Sequence, residues 1–263
     1  MGVFDPVSGD YRAKSVVQRK AADRLMDLLD LKPGKSVLDV GCGPGHITAE
    51  LARRTGGRVV GADISEGMIE KARSSHPGME FRCVAAEDLD YEEEFDVVFC
   101  NSTLQWFGNA VGAISAMYQA LARPGRLGVC CPATPDFAPW FNTMVARAGE
   151  RADLAPTWAH WCNPWFQLPG LDQYRTLFER CGFATTHAAI EVETSEHTVE
   201  EAYGIYITGA ARGFVDGAAY DVEIGDDYVE AFNRAVREEM ETDARDGLVT
   251  VSFNRLYYIG LKK

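Results

Sequence analysis

A glycine-rich turn near the start of the chain constrains the fold more than any other feature. The apolar run Val37-Leu38-Asp39-Val40 leads into Gly41, Gly43 and Gly45, and a segment with helical spacing follows. Glycine lets the backbone bend sharply and approach a ligand closely. The start of a helix also offers N–H groups that have no partner within the helix. The pattern therefore predicts a strand, a tight turn and a helix, with a ligand bound at the turn.

A second acidic residue indicates which ligand this is. Residues 59–62 read as a strand that ends in Asp63, a carboxylate placed to accept hydrogen bonds from ribose hydroxyls. A dinucleotide fingerprint would be G-x-G-x-x-G, but here the last glycine is followed by His46, and Asp39 would repel a pyrophosphate. The ammonium group of a methionine moiety would pair with Asp39 instead. The spacing favours S-adenosylmethionine (SAM) over NAD, with the alternative that Asp39 caps the turn and the glycines serve packing.

The alternation of predicted strands and helices indicates an α/β fold with a mostly parallel sheet. Apolar residues at helical spacing predict a leading helix over 14–29. We predict strands over 36–40, 58–63, 80–84, 95–101 and 125–132, and helices over 46–54, 66–74 and 110–121. Ligands of such sheets lie at the carboxyl ends of the strands. The polar residues at or just beyond these predicted ends are Asp39, Asp63, Glu87 and Asn101.

The composition changes after residue 132. Residues 133–170 contain five prolines and four of the five tryptophans, and this aromatic content argues against disorder. We predict an irregular or short-helical lid here, over the carboxyl edge of the sheet. Beyond it we predict a helix over 171–181, a strand over 184–193, helices near 199–212 and 226–243, and a last strand over 249–261. We expect one structural domain: a core with an N-terminal arm over 1–135, a lid over 136–172, and the rest of the core over 173–263 with an insertion at 198–245.

The segment Asp39-Val40-Gly41-Cys42-Gly43-Pro44-Gly45 resembles the first motif of class I SAM-dependent methyltransferases. Further matches follow in order at residues 61–69, 86–89, 95–101 and 123–127. The two insertions, together with Leu104-Gln105-Trp106, resemble the group that contains malonyl-acyl-carrier-protein O-methyltransferase and trans-aconitate methyltransferase. The resemblance implies a Rossmann-like sheet of seven strands, six parallel and one reversed, with helices on both faces.

The resemblance also implies which residues hold SAM. Asp39, Asn101 and the loop of Gly41, Cys42, Gly43 and Gly45 are assigned to the methionine end, and Asp63 is assigned to the ribose. The residues assigned to the adenine are Ile64, Met68, Ala86 and Glu87. Tyr11 and Gln18 are assigned to closing the pocket. This chain has Ala85 where relatives often carry an acidic residue. The partner of the adenine amino group is therefore left open among Glu87, Asp88 and water.

The resemblance favours a carboxylate as the methyl acceptor, because both enzymes of that group esterify carboxylates. A carboxylate is already ionised at pH 7 and needs no general base, so no catalytic side chain is assigned. An arginine would orient it, with Arg212 as first candidate and Arg147 and Arg151 after it. The predicted acceptor site also includes Tyr11, Trp106, Trp140, Trp161 and Tyr206, although the lid tryptophans could instead build the core of the lid.

Two other functions remain open at this stage. One is O-, N-, S- or C-methylation of a secondary metabolite, for which His46, His160, His187 or His197 could act as a base. The other is a SAM-binding regulatory subunit without catalytic activity. The intact glycine loop and the predicted lid favour an enzyme over that second alternative, because a regulatory subunit needs no enclosed acceptor pocket.

Charge and cysteine usage limit the partners. The formal net charge of −13 argues against nucleic acid and anionic membranes, and it would oppose an acidic carrier protein unless a local basic patch compensates. We see no signal peptide and no apolar run near the roughly 20 residues of a membrane span. The seven cysteines show no C-x-x-C or Cys/His ligand spacing. We expect a reduced, cytoplasmic enzyme without a metal, acting on a small-molecule or carrier-bound substrate.

Overall fold

Strands and helices alternate through the first half of the computed structural model, which describes the backbone of residues 11–263 and the side chains from residue 19 onward. The strands are β1 Val37–Val40, β2 Val59–Asp63, β3 Glu80–Cys83, β4 Phe95–Asn101, β5 Leu121–Pro132, β6 Ala184–Thr198 and β7 Leu248–Lys262. The helices are α1 Tyr11–Leu29, α2 His46–Thr55, α3 Glu66–Ser75, α4 Ala110–Ala120, α5 Pro139–Gly149, α6 Ala155–Trp158, α7 Leu171–Arg180, α8 Val199–Thr208, α9 Ala211–Val215 and α10 Asp226–Asp243.

The seven strands form one sheet in the order β3-β2-β1-β4-β5-β7-β6. Strands β1 to β5 pair in parallel, and β7 is antiparallel to β5. The carboxyl ends of β2, β1 and β4 therefore meet at one edge, with Asp63 and Asn101 as the last residues of β2 and β4. This confirms the predicted Rossmann-like α/β fold and places three of the predicted ligand-binding segments side by side.

By its contacts the chain divides into two compact units. The first, the sheet unit, comprises residues 19–135, 166–191 and 255–263; the second, the aromatic unit, comprises residues 136–165 and 192–254 together with the described residues 11–18. Both faces of the strands in the sheet unit are covered by apolar side chains. One face packs against α1 through Leu25 and Leu29, and the other against α4 through Ile114 and Met117. Burial on both faces explains why β1 and β4 read as continuous apolar runs.

The aromatic unit has a core of its own. Helices α5, α8 and α10 contribute Phe141, Tyr206 and Phe232, each at most 1% exposed. The indole rings of Trp158 and Trp161 stack at 5.0 Å, and Trp158 also packs on Phe232. The tryptophans at 140, 158, 161 and 165 are all partly buried against this core.

Three element boundaries differ from the sequence-based expectation by four residues or more. The helix expected over 199–212 is two helices, because α8 ends at Thr208 and Gly209 leaves the helical conformation with φ −119° and ψ −87°. Strand β5 begins at Leu121 rather than 125: Leu121 pairs with Phe95, and the register then shifts before regular pairing resumes. Strand β6 continues to Thr198 instead of stopping at 193. In the described part of the chain, no helix combines the length and apolar character that crossing a membrane requires.

Candidate functional site

The loop between β1 and α2 contains three glycines in the left-handed region, with φ of 76° at Gly41, 52° at Gly43 and 82° at Gly45. A Cβ atom on Gly41 would lie 2.1 Å from Cγ2 of Thr103, so the loop packs tightly against the segment after β4. A Cβ atom on Gly43 would meet nothing within 4 Å. The loop is thus fixed on one side and open at its centre, which is the shape expected of a loop that a ligand approaches closely.

Asp39 is buried inside the sheet unit and is not exposed at the glycine turn. Its side chain is 2% exposed, and its Oδ2 accepts a hydrogen bond from the Thr48 hydroxyl at 2.7 Å. Burial, and to a smaller extent the nearby charge of Asp63, raises the pKa of Asp39 to about 7 against the lowering effect of the Thr48 bond. Thr48, one turn into α2, was not predicted from the sequence. Thr48 is nine residues from Asp39 in the sequence, and no motif with that spacing predicts a contact between the two.

Asp63 connects the ends of two neighbouring strands. Its Oδ2 accepts from the backbone N–H of Gly43 at 2.9 Å, and its Oδ1 accepts from that of Ser65 at 2.9 Å. The carboxylate is therefore held at the carboxyl edge beside the glycine loop, and it is only partly buried. Cys42 lies close to both acids, since burial first and then the charges of Asp39 and Asp63 raise the pKa of its thiol.

The segment after Asp63 presents apolar surface to solvent. Ile64 is 74% exposed, although most large apolar side chains of this unit are buried. Met68 lies in the first turn of α3, where the Ser65 hydroxyl caps its backbone N–H. Ala86 is buried at the start of a short 3₁₀ turn that ends at Asp88, and Glu87 is exposed within it. An exposed isoleucine beside a strand-end carboxylate suits a flat apolar ring next to a ribose.

Buried polar atoms without hydrogen-bond partners gather just after β4. They are Oδ1 of Asn101, Oγ of Ser102 and Oε1 of Gln105. The Gln105 amide nitrogen already donates to the Ser102 carbonyl at 2.9 Å, which leaves its oxygen as an acceptor. Ser102 itself adopts a positive φ of 56°, an uncommon conformation for serine. Because unpaired buried polar atoms are costly, such a group requires a partner from outside the protein, which either a ligand or an ordered water supplies.

These observations fit SAM. Its ammonium would supply donors for Asn101, its ribose hydroxyls would be donors for Asp63, and its adenine would cover Ile64. The role of each of these residues in binding SAM stays a prediction. Ser102 and Gln105 were not assigned from the sequence, although the polar pattern Asn101-Ser102-Thr103 directly after an apolar strand was a visible signal.

The predicted acceptor residues fall in different parts of the molecule. Trp106 belongs to the sheet unit and is 45% exposed. Trp140 and Trp161 belong to the aromatic unit, where their indole N–H groups donate to Asp243 Oδ2 and to the Gly213 carbonyl. Tyr206 is fully buried there, with its hydroxyl donating to Asn233. Their role toward an acceptor stays a prediction, as does that of Tyr11 and Gln18, whose side chains lie outside the described ones.

The arginines proposed to hold an acceptor carboxylate all lie near acidic side chains. Arg212 on α9 is 59% exposed at its side chain, and its Nε lies 3.8 Å from Asp216. Arg147 pairs with Asp243, and Arg151 pairs with Glu238 and Glu239. Among the described residues, no group of three or more His, Cys, Asp or Glu side chains could hold a metal ion.

Comparison with known proteins finds a matching family model and several methyltransferases that this chain resembles. A family model described as a methyltransferase domain matches residues 37–125. The chain is 38% identical over 129 residues to the malonyl-[acyl-carrier protein] O-methyltransferase of Acetivibrio thermocellus, a match that covers 47% of this chain and 46% of the relative. It is 28% identical over 265 residues to the trans-aconitate 2-methyltransferase of Variovorax paradoxus, which covers 96% of both chains.

Among solved structures, the chain resembles the geranyl diphosphate C-methyltransferase of Streptomyces coelicolor, determined in complex with Mg²⁺, geranyl diphosphate and S-adenosyl-L-homocysteine. The TM-score is 0.56 at 13% identity, and the match covers 99% of this chain and 88% of that one. At this identity the likeness concerns the fold alone. The chain spans about half the length of the Acetivibrio relative and nearly the whole of the Variovorax relative.

Proposed function

Because this chain belongs to the class I SAM-dependent methyltransferases, we propose that it transfers a methyl group to a carboxylate of a small molecule or a carrier-bound acyl group. The product is then a methyl ester. The observation that carries this choice of acceptor is the likeness to a trans-aconitate methyltransferase along 96% of both chains. Aconitate carries only carboxylates as ionised groups. The free end of a malonyl group, named in the Acetivibrio relative, is a carboxylate as well.

We assign different parts of the cofactor to different residues at the carboxyl edge of the sheet. We assign the ribose to Asp63, whose carboxylate is already fixed by the Gly43 and Ser65 backbones. We assign the ammonium group to Asn101, whose buried Oδ1 has no partner of its own. Ile64 and Met68 are assigned to the adenine, with Ala86 and Glu87 at its edge. Gly43 leaves room above the loop for the methionine end.

The chemistry asks little of the protein beyond alignment. SAM, when bound, supplies a sulfonium methyl group that is a reactive electrophile. A carboxylate with its usual pKa near 4 is ionised at pH 7, so no side chain has to remove a proton. The protein fixes the acceptor oxygen in line with the methyl group and excludes water. The work of this site is therefore positioning rather than acid–base catalysis.

A radiolabel assay tests the proposal. Methyl-tritiated SAM is incubated with the enzyme and with malonyl-acyl carrier protein, free di- and tricarboxylates or a metabolite extract, and the product is treated with mild base. Esters of carboxylic acids hydrolyse and release volatile labelled methanol. Base-labile label supports a carboxylate acceptor, and the fraction that carries it identifies the substrate class. Label that resists base contradicts the carboxylate proposal.

One observation favours a second candidate, methylation of a hydroxyl or amine of a secondary metabolite. Gln105 Oε1 is a buried acceptor without a partner, and no group of the cofactor is assigned to it. A carboxylate has no hydrogen to donate to Gln105, whereas a hydroxyl or amine has one. Base-stable label on a compound with such a group is the outcome expected from this alternative.

A further inference from the structure

A buried arginine stands at the ligand-binding edge of the sheet unit. Arg255 is 6% exposed and lies on β7, opposite Pro132, the last residue of β5. Because β7 runs antiparallel to β5, its early residues lie at the same edge as the carboxyl ends of the parallel strands. Arg255 also acts electrostatically on the thiol of Cys131, the residue before Pro132. Arginine is almost never fully buried unless its charge is paired.

Arg255 continues the row of residues assigned to the cofactor. Side chains alternate between the faces of a strand, and Tyr257 and Ile259 share a cluster with Phe99 under α1. The same alternation puts Arg255 and Asn101 on that face. Asn101 pairs with Cys130, which pairs with Tyr257. From strand spacings of about 4.8 Å and rises of about 3.3 Å per residue, the Cα atoms of Asn101 and Arg255 are roughly 12 Å apart.

The order along the edge separates a cofactor side from an acceptor side. Asp63, Asp39 and Asn101 lie on β2, β1 and β4, which are consecutive in the sheet. Arg255 lies on β7, two strands beyond β4 and away from Asp63. A long guanidinium side chain reaches several ångströms from its Cα. With the methionine end of SAM held at Asn101, Arg255 would lie beyond it, on the side from which an acceptor would approach.

Burial and surroundings distinguish Arg255 from the other candidate arginines. Arg212 is largely exposed and faces Asp216, and Arg151 pairs with two glutamates. In a chain of net charge −13, a buried cation at the ligand edge provides a local positive field for an anion. Arg255 has an interaction of its own in the structure, so an incoming carboxylate would join or exchange with that contact.

We propose that Arg255 binds the carboxylate of the methyl acceptor through two parallel N–H···O bonds; this proposal rests on the proposed function. In the transfer, a lone pair of one carboxylate oxygen forms the O–CH₃ bond, the S–CH₃ bond breaks and its electron pair stays on sulfur. No proton moves, and the guanidinium remains protonated. The ester has lost the negative charge, so its attraction to Arg255 weakens and the product leaves.

The test measures binding and turnover separately in the full chain. Isothermal titration gives the Kd of malonate and of trans-aconitate for enzyme saturated with S-adenosylhomocysteine. We expect Arg255→Gln to weaken both by about 10- to 100-fold, as for loss of a charge-assisted bidentate pair, with the Kd of S-adenosylhomocysteine unchanged. Arg255→Lys keeps the charge without the fork and should lose part of the affinity. Arg126→Gln is the matched control, because Arg126 bonds the Leu29 carbonyl at the opposite end of β5.

The outcomes separate the two proposals. Arg255→Gln or Arg255→Lys with the carboxylate affinity of the wild type overturns the role of Arg255, and so does a wild type that binds neither carboxylate. The role of Arg255 is also overturned if Arg212→Gln loses carboxylate affinity while the Arg255 variants keep it. Should Arg255→Gln fail to bind S-adenosylhomocysteine, the Lys variant decides. If carboxylates bind through Arg255 but no base-labile label forms, the proposed function fails and the carboxylate site stands.

Discussion

At the scale of single residues, the position of Asp39 in the fold could be predicted from the sequence, but its burial and its hydrogen-bond partner could not. The pattern before the glycine turn placed it at the end of β1, and the structure agrees. Its partner Thr48 lies on α2, and its 2% exposure depends on how that helix packs. Neither follows from spacing along the chain. The buried carboxyl therefore keeps a proton to a higher pH than an ordinary aspartate.

Asp39→Asn should stabilise the protein in a pH-dependent way. The pKa of Asp39 is raised from 3.8 to about 7, so between these values the folded state holds a proton that the unfolded state has lost. Stability therefore falls as the pH rises through this window. Asparagine removes this cost while keeping an oxygen for Thr48. We expect the free energy of unfolding of the variant to exceed that of the wild type by a few kcal/mol at about pH 8, at roughly 1.4 kcal/mol per pKa unit, and by little near pH 4.

Urea unfolding of both proteins at several pH values measures this difference. A variant that is less stable than the wild type at about pH 8 contradicts the prediction. Titration with S-adenosylhomocysteine in the same buffers adds a second readout. If the carboxylate pairs with the ammonium group, the variant binds more weakly even though it is more stable.

Asp63→Ala should weaken binding of S-adenosylhomocysteine. The substitution removes the assigned acceptor of the ribose hydroxyls and releases the Gly43 and Ser65 N–H groups. Loss of hydrogen bonds to a charged group predicts a Kd higher by about 10- to 100-fold. Asp96→Ala is the control, since Asp96 accepts from Ser36 and Lys35 at the amino end of β4. Near-equal affinities of the two variants would remove Asp63 from the site.

At the scale of elements, the sequence predicts the sheet well and the second half of the chain less well. Strands buried on both faces, such as β4, are continuous apolar runs bounded by turn residues, so both ends are visible. The end of α8 is not, because Gly209 is followed by residues that resume a helix. The extension of β6 to Thr198 follows from pairing beside β7, and its half-exposed residues carry no apolar signal.

Gly43, in the loop between β1 and α2, and Gly78, between α3 and β3, offer a matched pair of glycine substitutions. Gly43 and Gly78 both have positive φ, 52° and 93°, and a Cβ atom on either would meet nothing within 4 Å. Alanine at each should lower the free energy of unfolding by about 1–2 kcal/mol through backbone strain. Only Gly43→Ala should also raise the Kd of S-adenosylhomocysteine, because the methyl group enters the space above the loop. Equal affinities of the two variants would show that the ligand does not approach Gly43.

At the scale of the whole molecule, the insertions are more than additions to a sheet. Segments from 136–165, 199–243 and 248–254 share one apolar core, with Phe141, Tyr206 and Phe232 at its centre. The abundance of tryptophan showed that these segments are ordered. It could not show that residues far apart in sequence, such as Trp161 and Phe214, pack against each other at 5.4 Å between ring centroids. Nor could it show which acids face Arg147 and Arg151.

The distribution of tryptophan allows the two units to be followed separately. In Trp106→Phe, all remaining tryptophans lie in the aromatic unit, so fluorescence reports on its unfolding. Amide exchange over residues 37–125 reports on the sheet unit. A ligand at 100 times its Kd stabilises what it binds by about 2.7 kcal/mol. We therefore expect S-adenosylhomocysteine to stabilise the sheet unit, measured by amide exchange, by a larger free energy than it stabilises the aromatic unit, measured by the fluorescence transition.

The converse perturbation is Trp158→Ala in the Trp106→Phe background. Trp158 stacks on Trp161 and packs on Phe232, so its loss should cost the aromatic unit on the order of 3 kcal/mol. The fluorescence transition should move to lower temperature, while exchange over 37–125 and the Kd of S-adenosylhomocysteine stay close to those of the parent, because Asp39, Asp63 and Asn101 belong to the sheet unit. If the ligand and the substitution each shift both readouts by the same free energy, the chain unfolds as one cooperative body and the two cores are energetically inseparable.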